Sequence, residues 1–240
     1  MNPGAKFVLF AFMAATLAAG AQTPTAASGT DGADSPVAGV RKNQSWEYGP
    51  FVNWGSGLGN RDDFKFFFAG FQAGKILTPV LGRGILSGQF EFAGNIIPFW
   101  QAYTPAPHVQ AFFYPGGVFN LPEGGGTFTG VSLTPVILRW NFATRSRRIQ
   151  PWFQAAGGLI YTTHKFPPNY YSIPSEGING GTSVWNFSPQ GGAGVHIFTQ
   201  SKRSIDVGVN GVHISSASLG DRNPGVNASI QVQVGYTFWK

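Results

Sequence analysis

The sequence predicts an all-β protein, an eight-stranded antiparallel transmembrane β-barrel of the outer membrane. Three observations lead there. Charged residues make up 11% of the chain and Phe, Trp and Tyr 15%, which is too little charge to coat a soluble surface and more aromatic material than a core of this size uses. Beyond the N-terminus no apolar run reaches the length of a spanning helix, so a membrane crossing requires a closed barrel, the other structure that satisfies its backbone in lipid. Alternating segments bounded by turn residues recur along the chain, about eight of them.

Taken in order, residues 1–21 read as a secretory signal: Lys6, an apolar run over 7–17, then Ala19-Gly20-Ala21 before Gln22. That run is well short of the ~20 residues a membrane anchor needs. Residues 22–44 are Ala, Thr, Ser, Gly and Asp with little that could pack, and read as a flexible leader. The barrel domain is expected over 45–240.

Its strands are expected near 46–54, 63–75, 85–97, 130–142, 150–162, 184–198, 204–215 and 228–239. The last is the clearest. Ile230, Val232, Val234, Tyr236 and Phe238 alternate with Gln231, Gln233, Gly235 and Thr237, one face greasy and the other small or polar, as lipid-out, lumen-in patterning requires. Connections alternate in length. Those at 77–83, 143–148 and 199–203 are short and basic, and those at 98–129 and 163–183 are long, with more modest ones at 55–62 and 216–227. Outer-membrane barrels put short turns in the periplasm and long loops outside. Phe66, Phe68, Trp100, Trp152, Trp185 and Phe187 are expected to build the interfacial aromatic girdles, and Glu91 and Asp206 to join polar networks in the lumen.

Several chemistries are excluded or weak. With no cysteine there is no disulfide, thiolate nucleophile or Cys-ligated metal. The net charge of +6 forms no long stripe; it suits anionic lipid headgroups, and no nucleic-acid partner is expected. His108, His164 and His196 lack metal-ligand spacing. Gly55-Ser56-Gly57-Leu58-Gly59 lacks the Lys and following helix of a phosphate loop, and there is no Gly-x-Ser-x-Gly elbow.

One pair remains. His213 and Ser215 stand two apart on the seventh strand, in phase with the apolar Ile205, Val207 and Val209, so they share the outward face at about 6 to 7 Å between Cβ atoms. An imidazole in reach of a serine can take its proton as the hydroxyl attacks an ester carbonyl. Catalytic groups on an apolar face make sense where that face meets lipid.

The segment His213-Ile214-Ser215-Ser216-Ala217, followed by Asn223-Pro224-Gly225-Val226-Asn227, resembles the C-terminal signature of the outer-membrane lipid A 3-O-deacylases, His-x-Ser-Asn-Ala and then Asn-x-Gly-x-Glu. The resemblance implies a carboxylic ester hydrolase with no cofactor, cutting an acyl chain from the lipid A of lipopolysaccharide. By it His213 is the general base, Ser215 the nucleophile, Asn223 an oxyanion-loop residue and Asn227 the residue that orients the histidine. Two positions depart from the pattern. Ser216 stands in place of an oxyanion asparagine, and Asn227 in place of an acid, for which Asp221 is an alternative. Asn227 is also out of phase with the outward set that starts at Ile230, so a bulge is needed to turn it toward His213. The aromatic end, Tyr236, Phe238 and Trp239, resembles the signal read by the outer-membrane assembly machinery. A non-catalytic small barrel is the alternative reading, and a homodimer is left open.

Overall fold

The computed structural model describes residues 35–240 apart from 107, 115, 124, 167–181, 218 and 220–226. The expected signal and most of the expected leader therefore lie outside the described residues. The elements are α1 (Pro36–Asn43), β1 (Trp46–Gly57), β2 (Lys65–Ile76), β3 (Gly88–Tyr103), β4 (His108–Tyr114), β5 (Gly117–Glu123), β6 (Thr127–Phe142), β7 (Ile149–Phe166), β8 (Ser183–Phe187), β9 (Gln190–Gln200), β10 (Arg203–His213) and β11 (Ala228–Trp239).

Strands β1, β2, β3, β6, β7, β9, β10 and β11 pair in sequence order. The first and last then pair antiparallel, from Glu47 opposite Trp239 to Gly57 opposite Ser229, which closes the sheet. Strand β8 continues the stave begun by β9, since both lie on β7, at 159–161 and 149–156 respectively. The result is a closed eight-stave antiparallel barrel. The expected strand over 184–198 is thus one stave in two pieces, interrupted at Ser188 and Pro189, where the proline has no N–H to contribute. Strands β3, β6 and β7 are longer than the ~9 to 11 residues a membrane requires and rise beyond it. A separate hairpin, β4–β5, fills much of the first long connection.

Lipid-out alternation holds along the wall. Trp46, Tyr48, Val52 and Trp54 on β1, and Val131, Leu133, Val136 and Leu138 on β6, face out. Bulges between Ile97 and Trp100 on β3 and between Leu133 and Val136 on β6 shift the phase by one residue. This corrects the expected girdle. Phe66, Phe68, Trp100 and Trp152 are buried inside, and Trp185 and Phe187 are exposed outside. In Phe66-Phe67-Phe68 aromatics occupy both faces, so residue type could not assign the face; Trp100 turns inward because of the β3 bulge.

The interior is filled in three layers. At the long-loop end Phe64, Phe66, Phe68, Trp100, Phe128 and Phe166 interlock, with Phe68 and Trp100 stacked at 5.6 Å and Phe166 edge-on to Trp100 at 5.4 Å. Charged and amide side chains occupy the middle. At the short-turn end Val37 and Val40 of α1 pack on Ile76, Phe198 and Trp239. The leader expected over 22–44 is therefore folded in its last part. Ser35 caps the helix by accepting from Ala38 N–H at 3.0 Å, Pro36 opens it, and Gln44 closes it in the left-handed region at φ 46°. Two valines one turn apart provide the face that the barrel mouth buries.

Candidate functional site

Strand β10 turns Ser204, Asp206, Gly208, Asn210 and Val212 inward, leaving Ile205, Val207, Val209, Gly211 and His213 outside. The regular ladder stops at His213, but alternation continues. Ile214 is buried and Ser215 half-exposed, because this segment is held from both sides: His213 N–H donates to the Pro189 carbonyl at 3.0 Å, Ile214 N–H to Asn227 at 2.9 Å, and Ser215 forms an isolated bridge with Phe187. His213 and Ser215 thus lie together on the outer face, at the long-loop end. Ser215 Oγ accepts from Ala217 N–H at 3.1 Å, and Ala217 sits at φ 46°. A non-glycine residue in the left-handed region costs on the order of 1 kcal/mol, and here it turns the chain sharply enough to cradle the serine oxygen.

The remaining predicted residues are distributed otherwise. Asn227 is 1% exposed, lies opposite buried Ile214 and is in phase with the inward Ser229 and Gln231. The β10–β11 register runs unbroken from Arg203 opposite Phe238 to His213 opposite Ala228, so no bulge turns Asn227 outward. It is on the other side of the wall from His213, and both amide atoms lack a hydrogen-bond partner among the described residues. Ser216 is buried. Asp221 and Asn223 lie outside the described residues.

The outer wall below the pair is unusually smooth. Across four staves Ala155, Gly191, Gly211 and Ile230 stand in one row, with Leu159, Phe187 and Ser215 in the row two steps nearer the loops. A Cβ built on Gly157 would meet nothing within 4 Å, and on Gly191 or Gly211 only a carbonyl at 3.7 or 3.8 Å. Small side chains leave the wall shallow here, a trough across the staves below His213 and beside Phe187 and Ile230. It was missed at the sequence level, although Gly191, Ala193 and Gly211 at outward positions in a greasy wall carried the signal.

Inside, Arg139 Nη1 donates to Glu47 at 3.0 Å and to Glu91 at 3.1 Å, while its other nitrogens hold Gln154. Asn141 donates to Glu91 at 2.6 Å. His196 bridges Asp206 at 2.7 Å and Asn141 at 3.2 Å, and Asp206 also accepts from Ser204 and Thr237. Glu91 and Asp206 are thus the lumenal network residues expected of them. Ligand atoms of Glu47, Glu91 and His196 lie within 4.8 Å of one another, a spacing that could suit a cation, but the Arg139 guanidinium already lies on both carboxylates. The network is a structural strut across the lumen.

A closed wall with an apolar outside and a filled polar lumen defines a membrane-spanning β-barrel of the outer-membrane class. The chain belongs to the lipid A 3-O-deacylase (PagL) family, whose model matches residues 86–237. No curated protein matches it. Among solved structures it is similar to the outer membrane enzyme PagL (14% identity, TM-score 0.39, 79% of this chain and 98% of that one). It is also similar to Neisserial surface protein A (12%, 0.49, 80% and 96%) and to OprG from Pseudomonas aeruginosa (7%, 0.42, 82% and 96%).

Proposed function

We propose that this barrel is an outer-membrane esterase that removes an ester-linked acyl chain from lipid A. The observation that carries this reading is the position of His213 and Ser215, side by side on the lipid face at the head of a trough of glycine and alanine. An acyl chain in the outer leaflet lies beside the barrel wall, so its ester would meet the pair at the level of the headgroups while its methylenes lie over the row of Gly211, Gly191 and Ala155. The filled lumen offers no comparable path.

In this mechanism His213 takes the Ser215 proton as Oγ attacks the ester carbonyl, and returns it to the departing sugar hydroxyl, leaving an acyl-serine. Water, deprotonated by the same imidazole, then releases the fatty acid. The Ala217 amide holds the serine oxygen during the approach of the substrate. A second reading, a non-catalytic barrel, is favoured by one observation: Asn227 faces the lumen, so among the described residues no side chain stands ready to orient His213. Mass spectrometry of lipid A from envelopes with and without the protein separates the two. Loss of one acyl chain with a free hydroxyl left at its position supports the esterase; identical spectra overturn it.

A further inference from the structure

The charges of this barrel are sorted by end. At the short-turn end lie Arg41 and Lys42 of α1, Arg145, Arg147 and Arg148 of turn 143–148, and Lys202 of turn 201–202. The acids of the described residues are elsewhere: Glu47, Glu91 and Asp206 are buried in the lumenal network, while Asp62, Asp63 and Glu123 follow β1 or sit in the β4–β5 hairpin, toward the long loops. Among the described residues, then, no surface acidic side chain balances the basic end.

That end also carries a built cleft. Helix α1 and turn 77–87 enclose an open groove of about 620 Å³ lined by Ala38, Arg41, Lys42, Pro79, Val80 and Ala143. Its walls are tied together. Buried Gln89 donates from one amide nitrogen to the Thr78 carbonyl at 2.8 Å and the Arg41 carbonyl at 3.1 Å, and Gln44 donates to Leu77 at 3.3 Å. Arg41 is partly buried in it, and no described carboxylate forms an ion pair with Arg41 or Lys42. Burial alone pushes the Arg41 guanidinium below its ordinary value, as expected of a cation held without its counter-ion. Beside the groove the turn exposes Leu77, Val80, Leu81 and Leu86, and Ile85 at 90%, a set that water alone does not accommodate.

We infer that this groove binds an anionic glycerophospholipid of the inner leaflet, with its phosphate on Arg41 and Lys42 and its first methylenes on Pro79, Val80 and Ala38. Short turns of an outer-membrane barrel face the periplasm, so the groove meets the phospholipid leaflet, and the exposed apolar turn sits in its headgroup boundary. The juxtaposition of two cations with apolar walls fits an amphiphile better than an acidic protein, which would need neither Ile85 nor Leu86. The inference is independent of the esterase proposal, which concerns the opposite end.

The test is native mass spectrometry of the full-length chain folded in detergent micelles. It is titrated separately with dioleoylphosphatidylglycerol, dioleoylphosphatidylethanolamine, inorganic phosphate and polyglutamate. Phosphatidylglycerol should be retained at roughly 25-fold lower concentration than phosphatidylethanolamine, since each of the two cations contributes about a fivefold preference. Arg41→Gln combined with Lys42→Gln should abolish the preference, Lys42→Gln alone should reduce it by about fivefold, and Arg41→Lys with Lys42→Arg should keep it. Unchanged heat-modifiable gel mobility checks that each variant is folded. Equal retention of the two lipids, an undiminished preference in the glutamine variants, or displacement of phosphatidylglycerol by equimolar phosphate overturns the inference. So does retention on polyglutamate without any lipid preference, which would reassign the groove to a protein partner.

Discussion

Phe187 and Ser215 exchange both backbone hydrogen bonds, Phe187 N–H to the Ser215 carbonyl at 2.7 Å and Ser215 N–H to the Phe187 carbonyl at 2.9 Å, two residues beyond the last regular rung of β10. This bridge keeps the alternation intact through Ser215, so the serine stays on the face of His213. Phe187→Pro removes one of the two bonds and should lower fatty-acid release from lipopolysaccharide by about tenfold or more, because small misplacements of a reacting group are costly. Phe187→Ala keeps both bonds and should cost less. If the two variants are equally active, the bridge is not what positions Ser215.

Ser215→Ala should reduce deacylation to the background of protein-free micelles, because among the described residues no other hydroxyl occupies the outward position beside His213. The barrel should fold normally, as judged by strand-dominated circular dichroism and heat-modifiable mobility, since the side chain is at the end of a stave and packs little. Full turnover in this variant would remove Ser215 from the chemistry.

Filling the trough should separate binding from folding. Gly211 lies outward with only the Gly191 carbonyl near a prospective Cβ, at 3.8 Å, so Gly211→Leu places its bulk in lipid without strain. We expect kcat/KM for lipid A to fall by about ten- to a hundredfold, with little change for a soluble short-chain ester. Equal losses on both substrates would count against an acyl path along this wall.

Asn227 tests the departure from the family pattern. Because its amide is buried on the lumen side, Asn227→Glu would enclose a carboxylate without a described partner and should destabilise the barrel by a few kcal/mol, with no gain in rate. Asn227→Leu removes two unsatisfied polar atoms and should be neutral or stabilising, by up to about 1–3 kcal/mol. Thermal unfolding in detergent and fatty-acid release are the two measurements. A faster Asn227→Glu enzyme would mean that the side chain reaches His213 after all.

The lumenal strut carries the largest predicted cost. Arg139→Met leaves Glu47 and Glu91 buried beside each other without their cation, and should cost about 3–5 kcal/mol, read as a lowered unfolding temperature in detergent. Glu47→Gln combined with Glu91→Gln and Arg139→Met removes all three charges and should recover much of that loss. A triple variant as unstable as Arg139→Met alone would show that the loss came from packing, including the 4.8 Å contact of the guanidinium with Trp152.

The outward position of His213 was legible in the sequence because a strand without a bulge alternates: Val207, Val209 and His213 share a face along the unbroken register of β10 with β11. The lumenal roles of Glu91 and Asp206 followed from the same rule, and the basic, short turns from the lengths of the connections. Local pattern could not assign Phe66, Phe68 and Trp100, because a run of adjacent aromatics is compatible with either phase and the β3 bulge before Trp100 moves every later side chain to the other face. It could not find Arg139 between Glu47 and Glu91 either, since strands far apart in the chain meet across the lumen only when the sheet closes. Helix α1 is a tertiary outcome of the same kind: eight residues are too few to hold a helix in water, and Val37 and Val40 become buried only where Ile76, Phe198 and Trp239 form the mouth that receives them. The side of the wall taken by Asn227 was decided last of all, by an unbroken register with β10 that turns its amide away from the histidine it follows in the chain.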